Sequence, residues 1–156
     1  MHKPEIIVSG GQSGVDRGAL DAALANGFPC GGWCPQGRQA EDGPIDTKYP
    51  LQELPGATYQ DRTLQNVIDS DGTVIIYFGT ISGGTLLTQQ FCLEHKKAHL
   101  LIDAAQIMPA KAAGMIKKFC IKNSISILNA AGPRASQAST AYSYTKQVFT
   151  IFLSRK

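Results

Sequence analysis

No apolar run in the chain approaches the ~20 residues that a helix needs to cross a bilayer. The apolar stretch nearest the N-terminus is interrupted by Gly10 and Gly11, so a secretory pattern is missing too. The expectation is a cytoplasmic protein with no membrane partner. Charge of one sign is also scarce: 15 basic residues stand against 12 acidic ones, a net +3. That is too little to argue for nucleic acid without a clustered patch. Where lysines gather, at Lys117, Lys118 and Lys122, a solvated helix face accounts for them. The four cysteines, Cys30, Cys34, Cys92 and Cys120, lack the spacing of a disulfide framework or a paired C-x-x-C zinc site. They read as small, buried side chains. His2, His95 and His99 show no ligand spacing with a carboxylate, and His95 and His99 mark a helix C-terminus, where cations are favoured. No metal site is expected. Repeats, low-complexity segments and linkers are likewise missing, so residues 1–156 are expected to form one domain. With 43% hydrophobic and 17% charged residues, disorder is excluded as the default.

What the sequence does contain is alternation. Residues 5–8 predict a strand and 15–26 a helix with Ala19, Leu20, Ala23 and Leu24 on one face, stopped by Gly27. A short strand is expected at 28–33. Residues 34–60 are rich in Gly, Pro and polar groups and predict a long irregular stretch of the kind that serves as a lid or binding loop. A helix follows at 59–70 with Leu64, Val67 and Ile68 inward. The near-continuous apolar run at 73–78 reads as a central strand covered on both faces. Next come a helix at 85–96, a strand at 98–102 and a helix from Pro109 to Lys122. A strand at 125–128 and a helix at 136–153 complete the pattern. Five strands alternating with helices argue for a doubly wound, Rossmann-like α/β fold, with a mainly parallel five-stranded sheet and helices on both faces. Ligands of such folds bind beyond the strand C-termini, at the switch point of strand order.

Three turns follow the first, third and fifth predicted strands and should therefore share one edge of the sheet. The first, Gly10-Gly11-Gln12-Ser13-Gly14, runs from a β-branched strand straight into a helix. Its glycines let the backbone turn sharply and present N–H groups, and the following helix start adds a positive dipole end. The spacing G-G-x-x-G is neither the dinucleotide G-x-G-x-x-G nor the Walker G-x-x-x-x-G-K-[ST]. Anion binding is one reading and a plain tight turn is the other. Gln12 and Ser13 can hydrogen-bond a ligand. Asp16 in the first helical turn either stabilises the helix start or faces the ligand. Arg17 either reaches a phosphate or pairs with a carboxylate. The second turn brings Ser82-Gly83-Gly84-Thr85, where an N-cap role for Ser82 or Thr85 is compatible with phosphate binding. In the third, Gly132-Pro133 precedes Arg134, whose guanidinium can hold a phosphate by two parallel bonds. Arg62 is a further anion candidate, with a surface ion pair as its alternative. Trp33 either stacks on a planar ligand or is partly buried.

Four segments in order carry a resemblance. They are the turn from Ser9 to Arg17, the run Arg62-Thr63-x-x-Asn66-x-x-Asp69-Ser70-Asp71-Gly72-Thr73, Gly83-Gly84-Thr85-x-x-Thr88, and Asn129-x-Ala131-Gly132-Pro133-Arg134. Together they resemble the molybdenum-cofactor carrier family, which is similar to the Rossmann-like group containing the lysine-decarboxylase-like phosphoribohydrolases. The resemblance implies a fold of parallel strands, a homo-oligomer, and a small anionic ligand, either molybdenum cofactor or a nucleotide. The phosphoribohydrolases carry Gly-Gly-x-Gly-Thr-x-x-Glu, whose Glu helps to cleave the base from the sugar. Aligning the Gly-Thr pair puts Thr88 at that position, and a hydroxyl cannot serve as a carboxylate acid or base. The expected function is thus binding of a phosphate-bearing ligand, as a carrier or store of molybdenum cofactor or as a nucleotide-binding protein. The alternative is a nucleotide-processing hydrolase or transferase that uses Asp16, Asp69 or Asp71 in place of the missing Glu. A nucleotide-sensing regulatory module is a third class.

Overall fold

The computed structural model describes residues 3–56 and 58–154; His2 lies outside them. The first β-branched run forms β1 (Ile6–Val8), and after the glycine turn α1 (Val15–Ala25) begins with Gly14 as its N-cap. The predicted strand at 28–33 breaks at Gly32. Its first half is β2 (Cys30–Gly31), which pairs with β1. Its second half, β3 (Trp33–Pro35), leaves the main sheet.

The stretch expected to be irregular is more ordered than its composition suggests. It holds a small hairpin, β4 (Gln39–Ala40) with β5 (Gly43–Pro44), and β6 (Gln52–Leu54), which pairs in parallel with β3. Two things organise it. Ile45, Tyr49 and Leu51 form a second apolar cluster with Leu20 and Cys34. The Arg38 guanidinium donates to four backbone carbonyls, those of Ile45, Asp46, Tyr49 and Leu51, at 2.7–3.2 Å. One cation thereby satisfies acceptors that a folded loop would otherwise leave unpaired.

The remaining elements alternate. A capping box opens α2 (Tyr59–Asp69): Thr58 Oγ1 accepts the Asp61 N–H at 3.3 Å and Asp61 Oδ2 accepts the Thr58 N–H at 3.0 Å. Then come β7 (Gly72–Tyr77), α3 (Gly83–Glu94), β8 (Ala98–Asp103) and α4 (Pro109–Asn123), with Pro109 in the first turn as expected. β9 spans Ile127–Ala131 rather than 125–128, and α5 spans Ala141–Leu153 rather than starting at 136. The late start of β9 has a local cause. Ile125 N–H closes the end of α4 on the Cys120 carbonyl, and Asp71 Oδ2 accepts the N–H groups of Ser126 and Ile127 at 3.0 and 2.8 Å. The N–H groups of Gln137 and Ala138 both turn back onto the Arg134 carbonyl, which delays α5.

Five strands form one all-parallel sheet in the order β2-β1-β9-β7-β8. The last strand of the chain therefore lies in the middle, with Leu128 beside Ile7 and Ala130 beside Val74. α1, α4 and α5 pack together over the core that carries Ile7, Val74, Ile76, Leu128 and Ala130, while α2 and α3 pack against each other. The architecture is the expected Rossmann-like α/β fold. None of the helices among the described residues is long and apolar enough to cross a membrane.

Because β1, β9 and β7 are adjacent and parallel, the turns after them emerge side by side. The first and third are locked together. Val15 N–H donates to the Pro133 carbonyl at 3.2 Å, and Gly14 sits at φ +83°, where a Cβ would lie 2.4 Å from that same oxygen. Gly14→Ala is therefore expected to lower stability by roughly 1–3 kcal/mol through backbone strain and overpacking, read as a shifted denaturation midpoint. Asp71→Ala should cost about 1–3 kcal/mol by stranding two N–H groups at the start of β9. It should leave ligand affinity unchanged, because Asp71 is at the opposite end of β7 from the three turns.

Candidate functional site

The three turns and the first half of α2 wall one cleft at the C-terminal edge of the sheet. Gly10, Gln12 and Asp16 come from the first turn and helix start, Gly84 and Thr85 from the second, and Gly132 and Arg134 from the third; Arg62 reaches in from α2. Eight of the predicted ligand-binding residues thus share a cavity. Six buried polar residues line it: Gln12, Asp16, Asn66, Thr85, Thr88 and Asn129. Buried polar side chains are uncommon, and most of these are bonded within the chain, Asp16 to Arg62, Asn66 to Trp33, Thr88 to Gly84 and Asn129 to Thr73.

The floor is an ion pair. Asp16 Oδ2 accepts Arg62 Nη1 at 3.2 Å and the Gln12 N–H at 3.3 Å, with both side chains largely buried. Burial pushes the Asp16 carboxyl above its ordinary range, opposed by the Arg62 cation and by the Gln12 N–H. The Ser9 hydroxyl ties the Asp16 carbonyl at 3.0 Å, so the carboxylate is held from both chain and side chain. The guanidinium lies so close to Gly10 that a Cβ there would fall 1.6 Å from Nη1. At Gly10 it is the guanidinium in its present position, not a positive φ, that occupies the space of a side chain. Arg62 Nε is buried and makes no hydrogen bond among the described residues.

The cation balance of the cleft favours an anion. Two arginines, Arg62 and Arg134, stand against one carboxylate, Asp16. Arg62 is paired, whereas the Arg134 side chain makes no hydrogen bond or ion pair among the described residues. Ser82 is the N-cap of α3 but gives no side-chain hydrogen bond, so the first N–H groups of this helix are left open beside Gly84 and Thr85. The helix begins at Gly83, two residues earlier than the sequence predicts, so Gly83 and Gly84 belong to it. Thr88 Oγ1 donates to the Gly84 carbonyl at 3.0 Å, the helical i−4 bond, and its hydroxyl is thereby committed.

The other predicted residues lie around the cleft rather than in it. The Gly11 carbonyl accepts Arg17 Nε at 3.0 Å, and the Arg17 guanidinium forms a two-pronged pair with Asp42 at 3.0 and 3.1 Å. Arg17 thus takes the carboxylate role of its two readings. Gly14 abuts Pro133, and Ser13 Oγ donates to Glu41. Ser82 borders an adjoining depression with Phe78, Thr80 and Gln137. Of the three aspartates considered for catalysis, Asp16 alone lines the cleft. Asp69 accepts Trp33 Nε1 at 2.8 Å, and Asp71 holds the start of β9. Trp33 is half-buried outside the cleft, its backbone clasped on both N–H and carbonyl by the Asn66 amide. The cysteines are free. Cys34, Cys92 and Cys120 are buried, and burial pushes the Cys120 thiol up to about 12. No group of three His, Cys, Asp or Glu among the described residues is placed to hold a metal ion.

Sequence reasoning missed several lining residues. Tyr59, Thr63 and Asn66 follow at helical spacing around Arg62, so one face of α2 enters the cleft. The spacing was available as a signal. Asn129 lies just beyond the strand predicted at 125–128 but sits in β9, where its Nδ2 donates to Thr73 Oγ1 at 3.2 Å.

Comparison with known proteins agrees with this architecture. Residues 7–153 match the circularly permutated YpsA SLOG family. A crystal structure at 1.45 Å of a protein from Syntrophus aciditrophicus, named "Putative molybdenum carrier protein", is 44% identical in sequence, with a TM-score of 0.94 over 97% of this chain and 96% of that one. A search of curated proteins found no significant match. With the family match running through nearly every element from β1 to α5, the protein belongs to the circularly permutated YpsA SLOG family.

Proposed function

We propose that this protein binds a small phosphate-bearing ligand in the cleft and that the ligand is molybdenum cofactor, held as cargo for carriage or storage. One observation carries the reading: the unpaired Arg134 guanidinium faces the same cleft as the uncapped N-terminus of α3. A phosphate between them takes N–H donors at Gly84 and Thr85, a favourable dipole end, and two parallel bonds from Arg134. Molybdenum cofactor joins a pterin dithiolene to such a phosphate, and the amide nitrogen of Gln12, whose oxygen accepts the Ser13 and Glu41 N–H groups, gives its polar ring edges a donor. The Syntrophus protein is named a molybdenum carrier, and molybdenum is the metal of this cofactor. The Asp16 carboxylate is already shared by Arg62 and the Gln12 N–H, so it serves to hold the arginine in place rather than to take a proton from a substrate.

Mass spectrometry of the protein purified from its native cells tests the cargo directly. A co-purifying pterin phosphate supports it, and a nucleotide in its place would keep the site and overturn the identity. Arg134→Ala is expected to weaken binding of a phosphate-bearing pterin by about 1.5–3 kcal/mol, the range for a hydrogen bond to a charged group, with little change in melting temperature. Unchanged affinity with a large fall in melting temperature would make Arg134 a structural residue.

The raised Asp16 pKa gives a pH dependence with a definite sign. Lowering the pH neutralises Asp16 sooner than an ordinary aspartate, which removes a negative charge from the floor and frees Arg62. Stabilisation of the protein by sulfate, whose own charge is constant in this range, should therefore grow as pH falls toward that raised value. Asp16→Asn should flatten this dependence. By linkage, the same group makes the wild type lose stability relative to Asp16→Asn as pH rises from 3.8 through the raised folded pKa.

A further inference from the structure

Glu41 stands at the tip of the β4–β5 hairpin, exposed to solvent, yet its carboxylate is gripped by the body of the protein. One oxygen accepts Ser13 Oγ at 2.5 Å and the Ser136 N–H at 3.0 Å, and the other accepts Ser136 Oγ at 2.6 Å. Ser13 Oγ is itself aimed by the Ala135 N–H at 3.1 Å. The hydroxyl bonds from Ser13 and Ser136, helped by the field of Arg134, hold this carboxyl below its ordinary range. A solvated carboxylate needs no such partners. Three donors converging on one oxyanion, with a guanidinium nearby, make an anion cradle. Its donors come from the first and third turns, the two that also wall the cleft, and Arg134 serves both places.

We propose that the Ser13–Ser136 cradle is a second oxyanion site of the phosphate class, continuous with the cleft through Arg134, and that Glu41 fills it until an acidic group of the ligand displaces it. This extends the proposed anion-binding role of the cleft. The hairpin is suited to withdrawal. Its strands have two residues each, and a two-stranded ribbon of that size has little stability of its own. Two further ties hold it, the Glu41 N–H on Gln12 Oε1 at 2.8 Å and the Arg17–Asp42 pair, whose Asp42 side chain is half-exposed. A phosphate in place of the carboxylate offers enough acceptor oxygens for every donor that Glu41 now uses.

Calorimetric titration with inorganic phosphate tests the assignment. Glu41→Ala should bind phosphate in the cradle at least about tenfold tighter than the parent does, the equivalent of one charge-assisted hydrogen bond. Adding Ser136→Ala to that variant should remove the gain. Glu41→Gln, which keeps the shape but drops the charge, should give a smaller gain. Leu87→Trp, which fills the cleft, should abolish the cleft site of the parent and leave the gain in Glu41→Ala. In hydrogen exchange, saturating phosphate should speed exchange at residues 39–44 of the parent. Phosphate binding by the parent with no gain in either Glu41 variant overturns the cradle and leaves the cleft standing. A gain in Glu41→Ala without binding by the parent supports the cradle and counts against the cleft. No binding by any variant overturns both.

Discussion

The site depends on the insertion of β9 between β1 and β7. Its backbone ladders to both neighbours bring the two ends of the chain's sheet together. Parallel pairing then fixes the direction of all three strands, so their C-terminal turns must leave at one edge. With any other neighbour for β9, the Pro133 carbonyl could not receive the Val15 N–H, and the first and third turns would not share a wall. Side chains at the seam are matched to this contact. Gly14 is small where Pro133 approaches, and the buried Asn129–Thr73 bond pins β9 to β7 on the cleft side.

Electrostatics at this edge is arranged so that one cation stays available. Burying Arg62 without Asp16 would leave a desolvated charge, and burying Asp16 without Arg62 would do the same with the opposite sign. Together they form a nearly neutral floor. Arg17 is drawn off to Asp42, and Glu41 is drawn to the serines of the first and third turns. Among the described residues, Arg134 faces the cleft with no hydrogen bond or ion pair of its own, its field shared with Glu41, and the N-terminal end of α3 lies beside it. The site therefore combines fixed donors with one guanidinium that makes no hydrogen bond among the described residues.

The segment between β3 and α2 acts as a clamp on the first turn. Arg38 gathers its carbonyls, and Ile45 and Leu51 pack against the place where Gly11 has no side chain. Asp21 on α1 accepts the hydroxyls of Tyr49 and Tyr142, tying that clamp to α1 and α5 at once. These ties fix residues 45–51 at the base of the loop, while Glu41 and Asp42 at its tip are held separately, through Ser13, Ser136, Gln12 and Arg17. The conformation of the glycine turn is thus supported from outside the Rossmann-like frame.

Much of this was legible in the chain. The β-branched run at 73–78, the alternation of apolar stripes with glycine turns, and the Pro109 helix start determine which segments become strands and helices, because backbone preference and period are local properties. The glycine turns and Arg134 were legible for the same reason. Strand order was not, since it depends on which pairings bury the most surface between residues far apart, such as Ile7 and Leu128. The fates of the charged residues were equally non-local: Arg62 went to Asp16, 46 positions away, and Arg17 to Asp42. Nor could local spacing show that Arg38 would order a loop by collecting four carbonyls, or that Glu41 would occupy the serine cradle. The sequence by itself determined the elements and the kinds of chemistry at their ends. The tertiary structure decided which of those groups are spent on one another and which are left facing the cleft, because a charge finds its partner through space and not along the chain.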